Sequence, residues 1–133
     1  MTYTDKIILS TRGFYDIINI TGEVEKIVKK SKIKEGLVNV FVKGSTAAIT
    51  TIEYEPNLVR DMKELIEKLI PQNKSYHHIG NGFSHLRASL FSASLSIPLT
   101  KGKLELGTWQ QIVLVDFDNR ARQREVMVKI IGE

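Results

Sequence analysis

The chain has 133 residues, 42% of them hydrophobic and 26% charged, a length suited to one compact domain on the scale of about 100–200 residues per domain. That composition excludes disordered and collagen-like chains, and the longest apolar run, residues 112–115, falls far short of the roughly 20 residues a helix needs to cross a bilayer. With no cysteine, thiol nucleophiles, disulfides and thiolate metal sites are excluded, so any metal must be held by His and oxygen donors.

Nineteen Lys and Arg against fifteen Asp and Glu give a net charge of +4, a mild excess that favours anionic partners. Residues 1–6, Met-Thr-Tyr-Thr-Asp-Lys, have neither the apolar core of a signal peptide nor the composition of a transit peptide, and the expectation is a cytoplasmic protein without membrane attachment.

Residues 7–9 and 14–20 are two β-rich runs separated by Thr11-Arg12-Gly13, which predicts a hairpin. Thr21 is placed to cap a helix whose apolar positions are Val24, Ile27, Val28 and Ile33, with Gly36 closing it. Residues 37–42 alternate as a strand, Gly44-Ser45 turns the chain, and residues 46–54 form a second β-branched run. Pro56 opens a longer helix carrying Leu58, Val59, Met62, Leu65, Ile66 and Leu69 at spacings of three and four, and Pro71 stops it.

Residues 72–84 have no periodicity and read as a loop, with Ser84 placed to cap a short helix over residues 85–90. Residues 95–99, 103–106, 111–117 and 125–131 read as four strands, with Asp118-Asn119-Arg120 turning the last hairpin. Two main helices among about eight strands predict a single α+β domain, in which a mixed, mostly antiparallel sheet folds on itself and packs on the helices.

The chain has no GxxxxGK[ST], GxGxxG, GxSxG or HExxH motif, which argues against NTP hydrolysis and ordinary serine hydrolysis. All three histidines, His77, His78 and His85, fall within nine residues around Gly80-Asn81-Gly82. Imidazoles on such a loop can converge on a divalent ion, zinc or magnesium, or can be solvated or hydrogen-bonded structural groups; the spacing leaves both open. Glu53, Glu55 and Asp61 stand around the start of the second helix, either to complete a metal site or to complement the helix dipole.

Ser45 and Thr46 put hydroxyls at a strand turn where an anion can be cupped, or where the chain merely turns. Arg120, Arg122 and Arg124 recur every second residue and would share one face of a strand, either as guanidinium forks for phosphate or as a charged hairpin edge. Trp109, the only tryptophan, is the type of residue that anchors a core or an interface.

The ordered strings Gly44-Ser45-Thr46-Ala47-Ala48 through Glu53-Tyr54-Glu55-Pro56, His78, Gly80-Asn81-Gly82, Ser84-His85, Arg87-Ala88-Ser89-Leu90, Leu106-Gly107-Thr108-Trp109-Gln110 and Asp116-Phe117-Asp118 resemble the YjbQ family from about residue 5 to Gly132. The resemblance implies a trimer with polar pockets near the subunit boundaries, and a weak thiamine-phosphate synthase activity. It implies catalytic roles for His78, His85 and Glu53, and a metal at His78 and His85. It further implies ligand contacts from Asn81, Trp109 and Gln110, while Ser45, Thr46, Arg87, Arg120 and Arg122 are expected to contact an anionic ligand from the chemistry of their hydroxyls and guanidinium groups. Gly44 stands where many members have a histidine, which removes a third imidazole that His77 is placed to replace.

The reaction so implied transfers an aminopyrimidine group from its diphosphate to a thiazole phosphate, releasing pyrophosphate. The alternative is a non-catalytic trimer that binds a metal or a small phosphorylated metabolite. Nucleic-acid binding has only the basic balance and the arginine row behind it, without interleaved aromatics.

Overall fold

A run of four apolar residues, Ile112 to Val115, is too short for a core helix and reads as a strand. The computed structural model, which describes residues 1–13 and 16–133, places it in the middle of a three-stranded sheet. The elements in chain order are β1 (Thr2–Thr11), β2 (Asp16–Asn19), α1 (Thr21–Ser31), β3 (Gly36–Val42), β4 (Ala47–Glu53), α2 (Pro56–Leu69), α3 (Gly82–Phe91), β5 (Ser94–Thr100), β6 (Lys103–Leu104), β7 (Gln110–Asp116) and β8 (Arg122–Gly132). One sheet has the order β1-β8-β3-β5-β6, the other β2-β7-β4. Every pairing between them is antiparallel, so the α+β expectation is met with two sheets and three helices.

Two apolar cores follow from the alternation of side chains along the strands. Val38, Val40 and Val42 of β3, Val126, Val128 and Ile130 of β8, Ile49 of β4, and Ile112 and Leu114 of β7 meet Val24, Ile27 and Val28 of α1 in the first. The opposite face of the small sheet, with Ala48, Val113 and Val115, meets Ile66 of α2, Ala88 of α3 and Phe117 in the second. Each fully buried Val or Ile is worth about 1.5–3 kcal/mol relative to exposure, and β7 contributes to both cores.

The two expected hairpins do not form. β1 pairs with β8 and β2 with β7, so at Thr11-Arg12-Gly13 the chain crosses from the large sheet to the small one. Residues 14–15 of the second expected run lie outside the described residues. The segment between β7 and β8 makes the reverse crossing, and Gly44-Ser45 between β3 and β4 crosses from the large sheet to the small one again. Gly13 sits at φ +106°, and a Cβ there would stand 2.9 Å from the carbonyl oxygens of both Asp118 and Arg120, so two of the crossings touch.

Three predicted helix ends also move. Thr21 is the first residue of α1 rather than its cap, because its hydroxyl accepts the Ile112 N–H at 2.8 Å. α1 stops at Ser31 with Lys32 left-handed, and Gly36 opens β3. α3 begins at Gly82 with Asn81 as N-cap, since the Ser84 N–H and hydroxyl both donate back to the Asn81 carbonyl, at 3.0 and 2.6 Å. α2 keeps its predicted start, with Pro56 in the first turn and Glu55 accepting the N–H groups of Asn57 and Leu58.

Candidate functional site

The loop between α2 and α3 is tied down at three points. The Tyr76 hydroxyl donates to the Pro71 carbonyl at 2.5 Å. Arg87, fully buried, donates to the Ile70 carbonyl through Nε and Nη2, at 3.0 and 2.7 Å, and to Glu67 at 2.8 Å. The guanidinium also covers the Phe83 ring at 4.9 Å. Asn81 donates to Asp118 at 3.4 Å. Gly82 makes the packing possible, because a Cβ there would stand 3.0 Å from the Tyr76 Cβ and 3.3 Å from that of His78.

So held, the loop and α3 enclose a concavity of about 500 Å³ lined by Lys74, Ser75, His77, His78 and His85, with Tyr76, Gly82 and Leu86 completing its wall. The His78 and His85 rings lie 4.8 Å apart, tilted by 46°. No carboxylate stands in this lining. The sequence reading located the three histidines and overlooked Lys74 and Ser75, although both lie in the same contiguous string.

The other expected site residues are dispersed. Glu53 and Trp109 line a separate groove with Glu55 and Gln111, and Gln110 faces β4, donating to the Thr51 hydroxyl at 3.1 Å. Ser45 lines a shallow groove of small residues with Gly44, Ala88 and Ser92. Asp61 is exposed. Among the described residues no group of three or more His, Asp or Glu is placed to hold a metal; His78 and His85 approach one another without a carboxylate beside them.

The arginine row departs from both of its expected forms. β8 lies between β1 and β3 rather than at an edge, and Arg124 points into the protein. Its Nε and Nη2 donate to Asp116 at 2.8 Å each, and Nη2 donates to the Thr46 hydroxyl at 2.7 Å. Arg122 donates to Asp118 at 2.7 Å, while Arg120 stays in the exposed turn. Thr46, Asp116 and Asp118 are all buried, so this corner is a closed ion-pair network joining the sheet crossings. Burial pushes the Asp118 carboxyl up, but donors from Arg122, the Asn119 N–H, Thr46 and Asn81 outweigh it and hold it below the usual carboxylate range.

The family described as UPF0047 protein YjbQ-like matches residues 5–133. The chain belongs to the YjbQ family. Among relatives of this YjbQ-family protein, a UPF0047 protein from Archaeoglobus fulgidus is 39% identical over 95% of this chain and 99% of its own. One from Methanothermobacter thermautotrophicus is 36% identical over 98% and 93%. The crystal structure of a YbjQ-like protein of unknown function from Sulfolobus solfataricus superposes with a TM-score of 0.97 at 39% identity, covering 100% of this chain and 99% of that one. Among the described residues no helix is long and apolar enough to cross a membrane.

Proposed function

We propose that this YjbQ-family protein binds the phosphate end of a small phosphorylated metabolite in the His78–His85 concavity. The observation that carries the reading is the lining itself: an ammonium, a hydroxyl and three imidazoles, with no carboxylate to repel an anion. The concavity also reaches Gly82, where α3 begins, and the N–H groups of a first helical turn favour negative charge.

The reaction that the resemblance implies, aminopyrimidine transfer with release of pyrophosphate, is the catalytic form of this reading. Imidazoles and Lys74 would neutralise the departing diphosphate. Glu53 lines another groove, so in this scheme it does not share the phosphate pocket. Metal binding is a second reading, favoured by the 4.8 Å approach of the two rings. His78 and His85 would hold zinc, which accepts imidazole, more readily than magnesium, which takes oxygen ligands. Bound there, zinc would polarise a phosphoryl oxygen.

A trimer belongs to the same proposal. Leu37 and Ile131 are cross-strand partners, 54% and 57% exposed, and Phe41 lies on the same uncovered face of the large sheet, beyond the Asn39–Lys129 pair, apolar positions available to a second copy.

Calorimetry with inorganic pyrophosphate on the wild type and on His78→Ala/His85→Ala tests the binding reading. Loss of two charge-assisted hydrogen bonds, each worth about 1.5–3 kcal/mol, predicts affinity weaker by at least about a hundredfold. Equal affinity in both proteins contradicts it.

A further inference from the structure

We propose that the groove holding Trp109 and Glu53 binds an organic ammonium ion, as a site separate from the histidine concavity. The groove has a volume of about 330 Å³ and carries no Lys or Arg. Two aromatic residues and two carboxylates dominate it: Tyr54, Trp109, Glu53 and Glu55.

Trp109 is 71% exposed, yet the turn that carries it is anchored. The Gln110 N–H closes a turn onto the Gly107 carbonyl at 3.1 Å. The Gln110 side chain accepts the Gly107 N–H at 2.9 Å and donates to Thr51 of β4 at 3.1 Å. Tyr54 is similarly fixed, since its hydroxyl donates to the Ile17 carbonyl at 2.7 Å and leaves the ring 44% exposed. Tyr54 is thus held at the surface by its own hydroxyl and Trp109 is carried on an anchored turn, and neither ring is folded into either core.

The charges in the groove have different commitments. Glu55 accepts the first N–H groups of α2. Glu53 is exposed at the end of β4 and, among the described residues, makes no ion pair or side-chain hydrogen bond in the structure. A free carboxylate beside an exposed indole face suits a cation with an alkyl shell. The ring quadrupole and the carboxylate attract its charge while its methyl groups cover apolar surface. Phosphate would be repelled there, and a neutral apolar ligand would leave Glu53 unused.

Trp109 is the only tryptophan, so its emission reports on this groove alone. The full-length protein is titrated with choline and, separately, with 3,3-dimethyl-1-butanol, its neutral carbon isostere, at ionic strength matched with sodium chloride. The expected result is a saturable emission change with choline and none with the alcohol. Glu53→Gln, checked for fold by circular dichroism, is expected to weaken choline by up to about fivefold, the effect of about 1 kcal/mol for an exposed ion pair. Trp109→Leu, followed by calorimetry, is expected to abolish the heat of binding. The proposal is overturned by equal responses to choline and the alcohol, by no saturable response to choline, or by Glu53→Gln binding as the wild type does. Emission that follows protein concentration instead of choline would assign the groove to a second copy and would overturn it equally. Pyrophosphate binding at the histidines is read independently, so either site can fail alone.

Discussion

Arg124 and Asp116 form a two-pronged pair inside the fold, each prong 2.8 Å long, with Asp116 fully buried and Arg124 6% exposed. The Thr11 hydroxyl donates to the same carboxylate at 2.5 Å, so a residue of β1 and one of β8 converge on the end of β7. Removing one partner of such a pair strands the other in a low-dielectric site.

Arg124→Met is therefore expected to cost about 3–5 kcal/mol of folding stability, read from urea unfolding at neutral pH. Arg120→Ala, in the exposed turn, is expected to stay within about 0.5 kcal/mol of the wild type. Similar stability for the two variants would contradict the assignment of Arg124 to a closed structural network.

Acid should unfold the protein through its depressed carboxyls. Asp118 is held low by its donors against the opposing effect of burial. At Asp16 burial again pushes upward, and hydrogen bonds from Arg12 outweigh it. A carboxyl whose folded pKa lies below its unfolded value of about 3.9 contributes stability that is complete above that value and is lost as pH falls through the folded one. Stability is expected to drop steeply below about pH 4, and Asp118→Asn should be less stable at neutral pH and lose less on acidification. A variant with the wild-type acid slope would contradict this origin.

Backbone proximity gives a third contrast. A Cβ on Gly36, at φ +155°, would meet the Ile131 carbonyl oxygen at 2.0 Å, whereas one on Gly22, in α1, would meet nothing within 4 Å. Gly36→Ala is expected to destabilise by more than about 1 kcal/mol, and Gly22→Ala to be neutral or stabilising by up to about 1 kcal/mol. Thermal unfolding of the two variants measures the difference.

The helix α2 and the strand β7 were legible because each carries its own pattern, Pro56 with apolar residues three and four apart in the one and a β-rich run over residues 111–117 in the other. That β7 is covered on both faces emerges only from the packing. The expected hairpins failed because a turn such as Thr11-Arg12-Gly13 reverses the chain equally well inside one sheet or between two. Only the pairing of β1 with β8, over a hundred residues away, decides between them. The arginine row shows the same limit, since a period of two places Arg122 and Arg124 on one face but cannot say that Asp116 and Asp118 wait there. The histidine loop was legible as a cluster. Its lack of carboxylates depends on where Glu53 and Asp61 fold, which local spacing does not determine.

Light scattering tests the proposed assembly. A trimer mass at micromolar concentration is expected, with Phe41→Asp, on the uncovered face of the large sheet, shifting the population toward monomer. A monomer mass for the wild type would contradict it.

Phosphate and metal readings of the histidine pocket predict opposite responses to pH. Protonation strengthens an imidazole's hold on an anion and abolishes its hold on a metal. Sulfate, whose charge is constant between weakly acid and weakly alkaline pH, is expected to bind more tightly as pH falls. Zinc is expected to bind more tightly as pH rises. The same direction for both, by calorimetry on one preparation, would contradict one of the two readings.

The most direct measurement uses the fact that the chain has only three histidines, so its imidazole resonances in a proton–nitrogen correlation spectrum are few and can be assigned with single alanine variants. Pyrophosphate is added at constant pH. The account predicts that the His78 and His85 signals move together along one saturation curve, while the Trp109 indole signal stays in place. Movement of neither histidine, or movement linear in concentration without saturation, would contradict an anion site at the His78–His85 concavity.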